Sequence, residues 1–323
     1  MKRFFQDMGI ALIMGLILPA LLLGTVLTLT SHRTEIPIAT EQNPETQSSA
    51  EPHTVSLLVD DEHVTQMPMQ EYLTCVLLAE MPVSFEEEAL KAQSVVARTY
   101  TIRALEGASK HTSADVCADS SCCQGYLSVE SFLARGGREE DAAHIRQVVA
   151  STAEQVLTYE GNLIEATYFS CSGGTTEDAV AVWGTDVPYL QSVSSPGEEY
   201  ASHYQDTVTF SADDFAEKLG ENLTGNPAGW FGQATYTKGG GVAQMEIGGR
   251  AYEGTELRGL LGLRSTAFEI EVDGNAITVT TRGYGHRVGM SQYGANAMAA
   301  AGSGYPEILA HYYHGTELTH YTN

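Results

Sequence analysis

The chain has 323 residues, 43% of them hydrophobic, enough for one large domain or two smaller ones with a sizeable core. Lys+Arg number 17 against 41 Asp+Glu, a formal net charge of -24. That balance argues against a nucleic-acid partner and against wholesale attraction to an anionic polymer, so recognition of such a polymer has to rest on a local site.

Lys2 and Arg3 precede an uncharged apolar run from Gly9 to Thr30, roughly 22 residues and long enough to span a ~30 Å hydrocarbon core. The positive flank stays inside and everything after it lies outside. A cleaved signal peptide carries the same order of charges; the length of the run and the lack of a small-residue cleavage site favour a retained anchor. Ser31–Pro52 has few large apolar residues and reads as a flexible tether. The expected organisation is a cytoplasmic stub and transmembrane anchor over residues 1–30, a linker over 31–52 and a folded extracytoplasmic domain over 53–323.

The folded part starts with a strand around Val55–Val59. Tyr72–Met81 follows as a helix, with Leu73, Val76 and Leu77 on one apolar face, and Pro82 disfavours helical geometry at Met81. Glu80 therefore falls in the last turn of an apolar helix. The negative end of the helix dipole and apolar neighbours favour its protonated form, which suits a general acid; a surface acid at a frayed helix end has the same spacing. Ser84 is the expected N-cap of a second helix, with Glu87 completing a capping box and Gly107 as the stop. On that helix Lys91 and Arg98 share a face, about 10 Å apart at 1.5 Å rise per residue.

Lys110–Tyr126 places His111, Cys117, Cys122 and Cys123 within one short loop. Three thiolates and an imidazole suit tetrahedral Zn²⁺, and four protein ligands leave no open position, so the reading is a structural zinc staple. Disulfides are the alternative on an oxidising side, although a vicinal pair does not readily bridge to itself and five cysteines leave one over. Cys75 reads as a buried small hydrophobe.

Asp141–Tyr159 reads as an amphipathic helix running into a strand, with a hairpin turn at EGNLI and ATYFS as the returning strand. It delivers Ser170, Cys171, Ser172, Gly173 and Gly174, whose hydroxyls and glycine amides suit hydrogen bonds to sugar hydroxyls or an N-acetyl group; an ordinary loop has the same composition. Gly-x-Ser-x-Gly is absent, which rules out a serine-hydrolase elbow. Trp183 and Tyr189 suit either a sugar face or the core. Ser211 caps a helix at FSADDFAEKLGENL, short alternating runs from Ala234 to Asp273 read as hairpin strands, and Asp273-Gly274 turns into AITVTTRG. In GYGHRVGMSQYGANAMA, His286, Ser291, Gln292 and Tyr293 supply polar groups, with Ser291 the N-cap of a following helix. His286 is either a proton-transfer group or a structural histidine. His311 and His314 lie near a helix end stopped by Gly315, where a histidine favourable to the dipole is the commoner explanation than a metal.

The stretch YLTCVLLAEMPVSFEEEALKAQSVVARTY resembles the stage II sporulation protein D family, cell-wall lytic transglycosylases whose domain also occurs in amidase enhancers. The similarity recurs, in order, at YFSCSGGTTED, LRGLLGLRS, GYGHRVGMSQYGANAMA and YPEILAHYYHGTEL. In that family the acid of the AEMP block is catalytic, which lands on Glu80, and basic residues of the next helix are implicated, which lands on Lys91 and Arg98. The loop equivalent to Lys110–Tyr126 binds metal in some members. The family reads GHGVGMSQ where this chain has Arg287, which either narrows the site or adds a cationic contact.

The expected fold is α+β: a helical unit carrying Glu80 packed with antiparallel strands, and a C-terminal helical motif closing the cleft. The resemblance implies cleavage of the β-1,4 bond between N-acetylmuramic acid and N-acetylglucosamine in peptide-stripped peptidoglycan strands, with Glu80 as acid and then base and no catalytic cofactor. It further implies a sporulation amidase and a membrane scaffold protein as partners, at the mother-cell membrane facing the septal space during engulfment. The rival is a non-catalytic wall-binding enhancer of an amidase.

Overall fold

The structure is a computed structural model; it describes residues 53–60 and 63–322, all within the unit Ser49–Asn323. The expected anchor and tether lie outside the described residues. Among these, no helix is long and apolar enough to cross a membrane.

Helix α1 (Met69–Glu80) is apolar on nearly every side, with Met69, Tyr72, Leu73, Cys75, Val76, Leu77 and Leu78 all buried, and so runs through the main core instead of over its surface. It ends as its sequence dictates: Met81, ahead of Pro82, is extended at φ -121° and ψ 137°, and its N–H closes the last turn on the Leu77 carbonyl. Helix α2 (Glu87–Arg103) packs beside it.

The expected cap at Ser84 does not form. Residues 82–85 make a tight turn closed by Phe85 N–H on Pro82 O, which draws Phe85 into the core against Tyr293, with ring centroids 5.0 Å apart. The helix then starts two residues later, with Glu86 as N-cap and no side-chain cap of its own; Asn296 Oδ1 accepts the Glu86 N–H at 2.7 Å from across the fold. The far end widens into a π-turn, Ala104–Ala108, in which Gly107 takes φ 104°, so the stop falls where glycine's freedom is needed.

Around these helices sit α3 (Val129–Ala134), the amphipathic α4 (Glu139–Ser151) and small sheets. Strand β1 (Thr54–Leu58) pairs antiparallel with β2 (Val64–Pro68) and parallel with β3 (Val116–Cys117). Strand β4 (Gln155–Tyr159) turns through Glu160 and Gly161, both at positive φ, into β5 (Asn162–Leu163), which confirms the hairpin. The ATYFS segment does not return along it. Its strand β6 (Tyr168–Phe169) pairs parallel with β13 (Met290–Ser291), while β14 (Glu317–His320) takes the free edge of β4. The glycine-rich C-terminal motif thus claims the edge that a simple hairpin reading assigns to β4.

Between these two motifs, after α5 (Ala179–Trp183), the chain builds a second core of its own. Strands β8 (Phe231–Tyr236), β9 (Val242–Ile247) and β10 (Arg250–Glu253) form one antiparallel sheet; β7 (Gln205–Ser211), β11 (Phe268–Asp273) and β12 (Ala276–Arg282) form another, with the Asp273-Gly274 turn where expected. Helix α6 (Ala212–Leu219) carries the Ser211 cap, whose side chain accepts the Asp214 N–H, and stops at Gly220 with φ 68°. LRGLLGLRS is mostly helix α7 (Gly254–Leu261). Helices α8 (Gln292–Ala300), capped by Ser291 as expected, and α9 (Tyr305–Tyr312) return to the main core. The architecture is α+β with mainly antiparallel sheets.

Candidate active site

Glu80, the last residue of α1, borders a cleft of about 590 Å³. The cleft is walled by Tyr168 and Ser170 on one segment, by Trp183, and by Tyr284, His286 and Gln292 on the glycine-rich motif. Glu80 also borders a smaller recess of about 330 Å³ with Gly125, Tyr126 and Arg135. Two donors hold one carboxylate oxygen: Gly125 N–H lies 2.5 Å and Tyr168 O–H 3.2 Å from Oε1. Oε2 has no protein hydrogen bond among the described residues, which makes it the oxygen available to a ligand. Only a glycine allows the approach at 125, because a Cβ there would sit 2.9 Å from Oε1 and 3.2 Å from the Ala79 Cβ. The Tyr168 hydroxyl also lies 3.1 Å from Gln124 Oε1, and the Gln124 amide donates to Tyr72 Oη and Thr101 Oγ1.

The structure does not bring Lys91 and Arg98 to Glu80. Lys91 is engaged at the start of its own helix, 2.8 Å from both Glu87 and Glu88. Arg98 is fully buried and donates to Val149 O at 3.1 Å, and at 3.4 Å to Thr152 Oγ1 and Gln155 O, so it ties α2 to the end of α4 and the start of β4. The cations that do line the cleft are Arg103 and Lys110. Arg103 lies 4.0 Å from Glu165, a second carboxylate on the cleft wall.

Of the expected ligand-binding residues, Ser170, His286 and Gln292 line the cleft and the others do not. Ser172 and Gly173 are occupied by a buried carboxylate: Ser172 N–H and Oγ donate to Glu198 at 2.6 and 2.9 Å, and Gly173 N–H at 3.3 Å. Ser195 Oγ donates to the same group and Cys171 Sγ lies 3.0 Å from it, which places Cys171 in the interior. Ser291 spends its side chain on the Gly294 N–H as an N-cap, and Tyr293 packs on Phe85 and Tyr200. Tyr189 packs on Tyr159 inside the fold, whereas Trp183 is 42% exposed on the cleft.

His286 stands between Trp183 and Phe169, with ring centroids 5.4 and 5.6 Å away. Its Nδ1 accepts the Val288 N–H at 3.1 Å, so the ring proton sits on Nε2. Burial, with Arg258 nearby as a lesser cause, pushes the imidazolium down to about 4, and the ring is neutral at pH 7.

Arg287 neither narrows the cleft nor adds charge to it. It takes φ 67°, a conformation that glycine adopts without strain, and turns its side chain inward. The guanidinium donates to Ser172 O and Thr175 O, each at 2.7 Å, to Gly239 O at 2.7 Å and to Glu177 Oε1 at 3.1 Å. Glu177 in turn accepts from Thr237 Oγ1 and Gly241 N–H, so the pair joins the glycine-rich motif to the second core. Glu177 is therefore a structural group of the interior, and its neighbour Asp178 accepts the Ser192 N–H at 2.6 Å.

The metal-ligand reading of the cysteine loop holds in geometry. One ligand atom from each of His111, Cys117, Cys122 and Cys123 lies within 4.8 Å of all the others, and all five cysteines of the chain are free thiols. His111 Nε2 lies 3.4 Å from Cys123 Sγ and 3.7 Å from Cys122 Sγ. Burial opposes ionisation of Cys123, but hydrogen bonds from Cys117, Tyr100 and His111 outweigh it and bring that thiol down to about 7, which suits a thiolate ligand. His311 and His314 are not part of any such cluster among the described residues; the His311 ring is 2.8 Å from Ser194 O.

Gly125, Gln124, Tyr168, Glu198 and the Arg287–Glu177 pair are the participants that sequence reasoning missed. Gly125 and Gln124 follow directly on Cys123, and Tyr168 opens the YFSCSGG motif, so the signal was position beside a motif. Glu198 gave none, being one of many acids in the chain.

Residues 60–159 match the SpoIID family, described as stage II sporulation protein. The chain is 39% identical over 294 residues to stage II sporulation protein D of Bacillus amyloliquefaciens, covering 89% of this chain and 85% of the relative. It is 41% identical over 264 residues to stage II sporulation protein D of Bacillus subtilis (strain 168), covering 80% and 76%. It is also 30% identical over 304 residues to the amidase enhancer of Bacillus subtilis (strain 168), across 76% of this chain and 40% of that protein.

Proposed function

The chain belongs to the stage II sporulation protein D family, and from that premise we propose that it is a peptidoglycan lytic transglycosylase with Glu80 as its acid and base. The observation that carries the reading is that Glu80 lines two recesses, with one oxygen pinned and the other unengaged. A strand threaded past such a group presents a glycosidic bond to it with sugars on either side.

The reaction needs a proton on the leaving oxygen. Oε1 accepts from Gly125 and Tyr168, so the proton resides on Oε2 and passes to the glycosidic oxygen as the C1–O bond breaks. The muramic acid C6 hydroxyl then attacks C1 and returns its proton to the Glu80 carboxylate, giving a 1,6-anhydro sugar and a free 4-hydroxyl on the departing strand. Holding nucleophile and electrophile in one ring supplies the proximity that a second protein group would otherwise provide. Neutral His286 lines the same cleft, and Trp183 and Tyr284 offer aromatic faces.

His111, Cys117, Cys122 and Cys123 would hold a structural Zn²⁺, which supplies a cross-link to the loop that carries Gln124 and Gly125. We place the chain in the mother-cell membrane, anchored through Gly9–Thr30 with the folded domain facing the septal space during engulfment, alongside an amidase that strips stem peptides and a membrane scaffold protein.

The test is product analysis on intact and peptide-stripped glycan. Products ending in 1,6-anhydro-N-acetylmuramic acid support the reading. Reducing-end products would mean a water nucleophile and bring in Glu165 as the second carboxylate that glycoside hydrolysis requires. The match to an amidase enhancer favours a second reading, a wall-binding module that stimulates an amidase. No glycan product, with faster amidase turnover on mixing, would establish it.

A further inference from the structure

The Tyr168 hydroxyl stands between two acceptors and has one proton to give. It lies 3.2 Å from Glu80 Oε1 and 3.1 Å from Gln124 Oε1. A third residue fixes which end of the Gln124 amide faces it. Thr101 Oγ1 donates to Ala97 O at 2.7 Å, so its proton is spent and toward Gln124 it can only accept. The Gln124 nitrogen accordingly lies 3.1 Å from Thr101 Oγ1 and 3.3 Å from Tyr72 Oη, and the carboxamide oxygen is left facing Tyr168. Gln124 is 1% exposed, so protein groups set this orientation. Burial, with the Glu80 charge as a lesser cause, holds the Tyr168 phenol well above its ordinary range, and it acts as a neutral donor at pH 7.

We infer that Gln124 is a positioning residue for Glu80: it competes with the Glu80 carboxylate for the Tyr168 proton, and so favours the protonated acid. The inference rests on the reading of Glu80 as the proton donor and adds which residue sets its readiness to hold the proton. With Glu80 ionised, the hydroxyl turns to Oε1 in a charge-assisted bond, and the buried Gln124 oxygen loses its donor. With Glu80 protonated on Oε2, Oε1 is a weaker acceptor than an amide oxygen, and the hydroxyl turns to Gln124. Gly125 N–H stays on Oε1 in both states. Only the hydroxyl rotates; no covalent bond forms or breaks. Ionising the acid therefore strands a buried acceptor, which is costly. The other charged or titratable groups sharing the two recesses are Arg103, Lys110 and Glu165, Arg135, His286 and the cysteine cluster. None of them hydrogen-bonds Glu80 among the described residues, and all are common to the variants below, so differences between variants report on the hydroxyl.

The experiment reads Glu80 directly, without turnover. The full-length chain is labelled with ¹³C at the glutamate carboxyl carbon, and the Glu80 signal is the one missing from Glu80→Gln. Gln124→Met removes the competing acceptor and should lower the Glu80 titration midpoint by about half a pH unit or more. Tyr168→Phe removes the donor and should raise the midpoint by a similar amount. In the double variant the effect of Gln124→Met should vanish, because Gln124 acts only through the hydroxyl. A packing role would leave that effect the same with or without the hydroxyl. A midpoint unchanged or raised in Gln124→Met, or an effect that survives in the Tyr168→Phe background, overturns the inference. If Gln124→Met fails to fold by circular dichroism, Gln124→Asn decides, since it keeps the amide and withdraws its oxygen from Tyr168; a midpoint that is not lowered there overturns it equally. The outcome is separable from that of the catalytic reading. The expected shifts in a chain that cleaves no glycan remove the enzyme and keep the coupling; cleavage to 1,6-anhydro products without the shifts does the reverse.

Discussion

Glu80 is held by atoms and not by charge. Its partners are a backbone amide and a phenol, while the two cations expected to serve it are committed elsewhere. Glu80→Gln keeps shape and packing but can neither deliver nor recover a proton, so strand cleavage should be lost with thermal stability unchanged; activity near the parent level would remove Glu80 from the mechanism. Gly125→Ala tests the same contact from the other side. Its Cβ would meet Oε1 at 2.9 Å, so the carboxylate must move. Turnover should fall at least about tenfold, ~1.4 kcal/mol in the barrier, with a native circular dichroism spectrum. Arg287 poses the opposite case, a residue beside the cleft that acts on stability. Removing it as Arg287→Ala strands the Glu177 carboxylate in the interior and should cost about 3–5 kcal/mol in urea unfolding. A loss under about 1 kcal/mol would show that the pair is dispensable.

At the scale of elements, the cysteine loop and the end of α1 form one mechanical unit. Cys122 and Cys123 are followed directly by Gln124, which meets Tyr168, and by Gly125, which meets Glu80. A metal that fixes the loop therefore also fixes the donors of the acid. One zinc per chain is expected by elemental analysis, and Cys123→Ser should lose the metal and lower the melting temperature together, since ligand binding is linked to folding. Full stability in a metal-free chain would sink this prediction. Helix α2 contributes differently. Arg98 is a buried tie to α4 and β4, so Arg98→Ala should show as a stability loss of about 2 kcal/mol or more in denaturant unfolding, before any change in turnover per folded molecule. An unchanged unfolding midpoint would contradict the buried role.

For the molecule as a whole, the pH response follows from His286. Its folded value of about 4 lies below the ordinary 6.5, so the unfolded chain takes up the proton first as pH falls. The stability it contributes is therefore present above pH 6.5 and is lost as pH drops through about 4. The difference in unfolding free energy between the parent and His286→Phe should accordingly shift over that window and stay flat above it; a flat difference throughout would show that the ring titrates normally. Much of the molecule was legible along the chain. Pro82 ended the helix at Glu80, Ser211 and Ser291 capped helices, Asp273-Gly274 turned a hairpin, and the spacing of His111, Cys117, Cys122 and Cys123 announced their convergence. Each depends on atoms close together in sequence, where steric limits and local hydrogen bonds act without help from the rest of the fold. The Ser84 cap failed for the converse reason: burial of Phe85 and a hydrogen bond from the Glu86 N–H to Asn296, 210 residues further on, outweighed a local preference. Tertiary structure alone decided that Gly125 and Tyr168, 45 and 88 residues from Glu80, hold the acid. It alone turned Arg98 and Arg287 inward and wrapped the SGG motif around Glu198. Those outcomes depend on which buried polar groups can find partners once distant segments pack, and no periodicity in the chain encodes that.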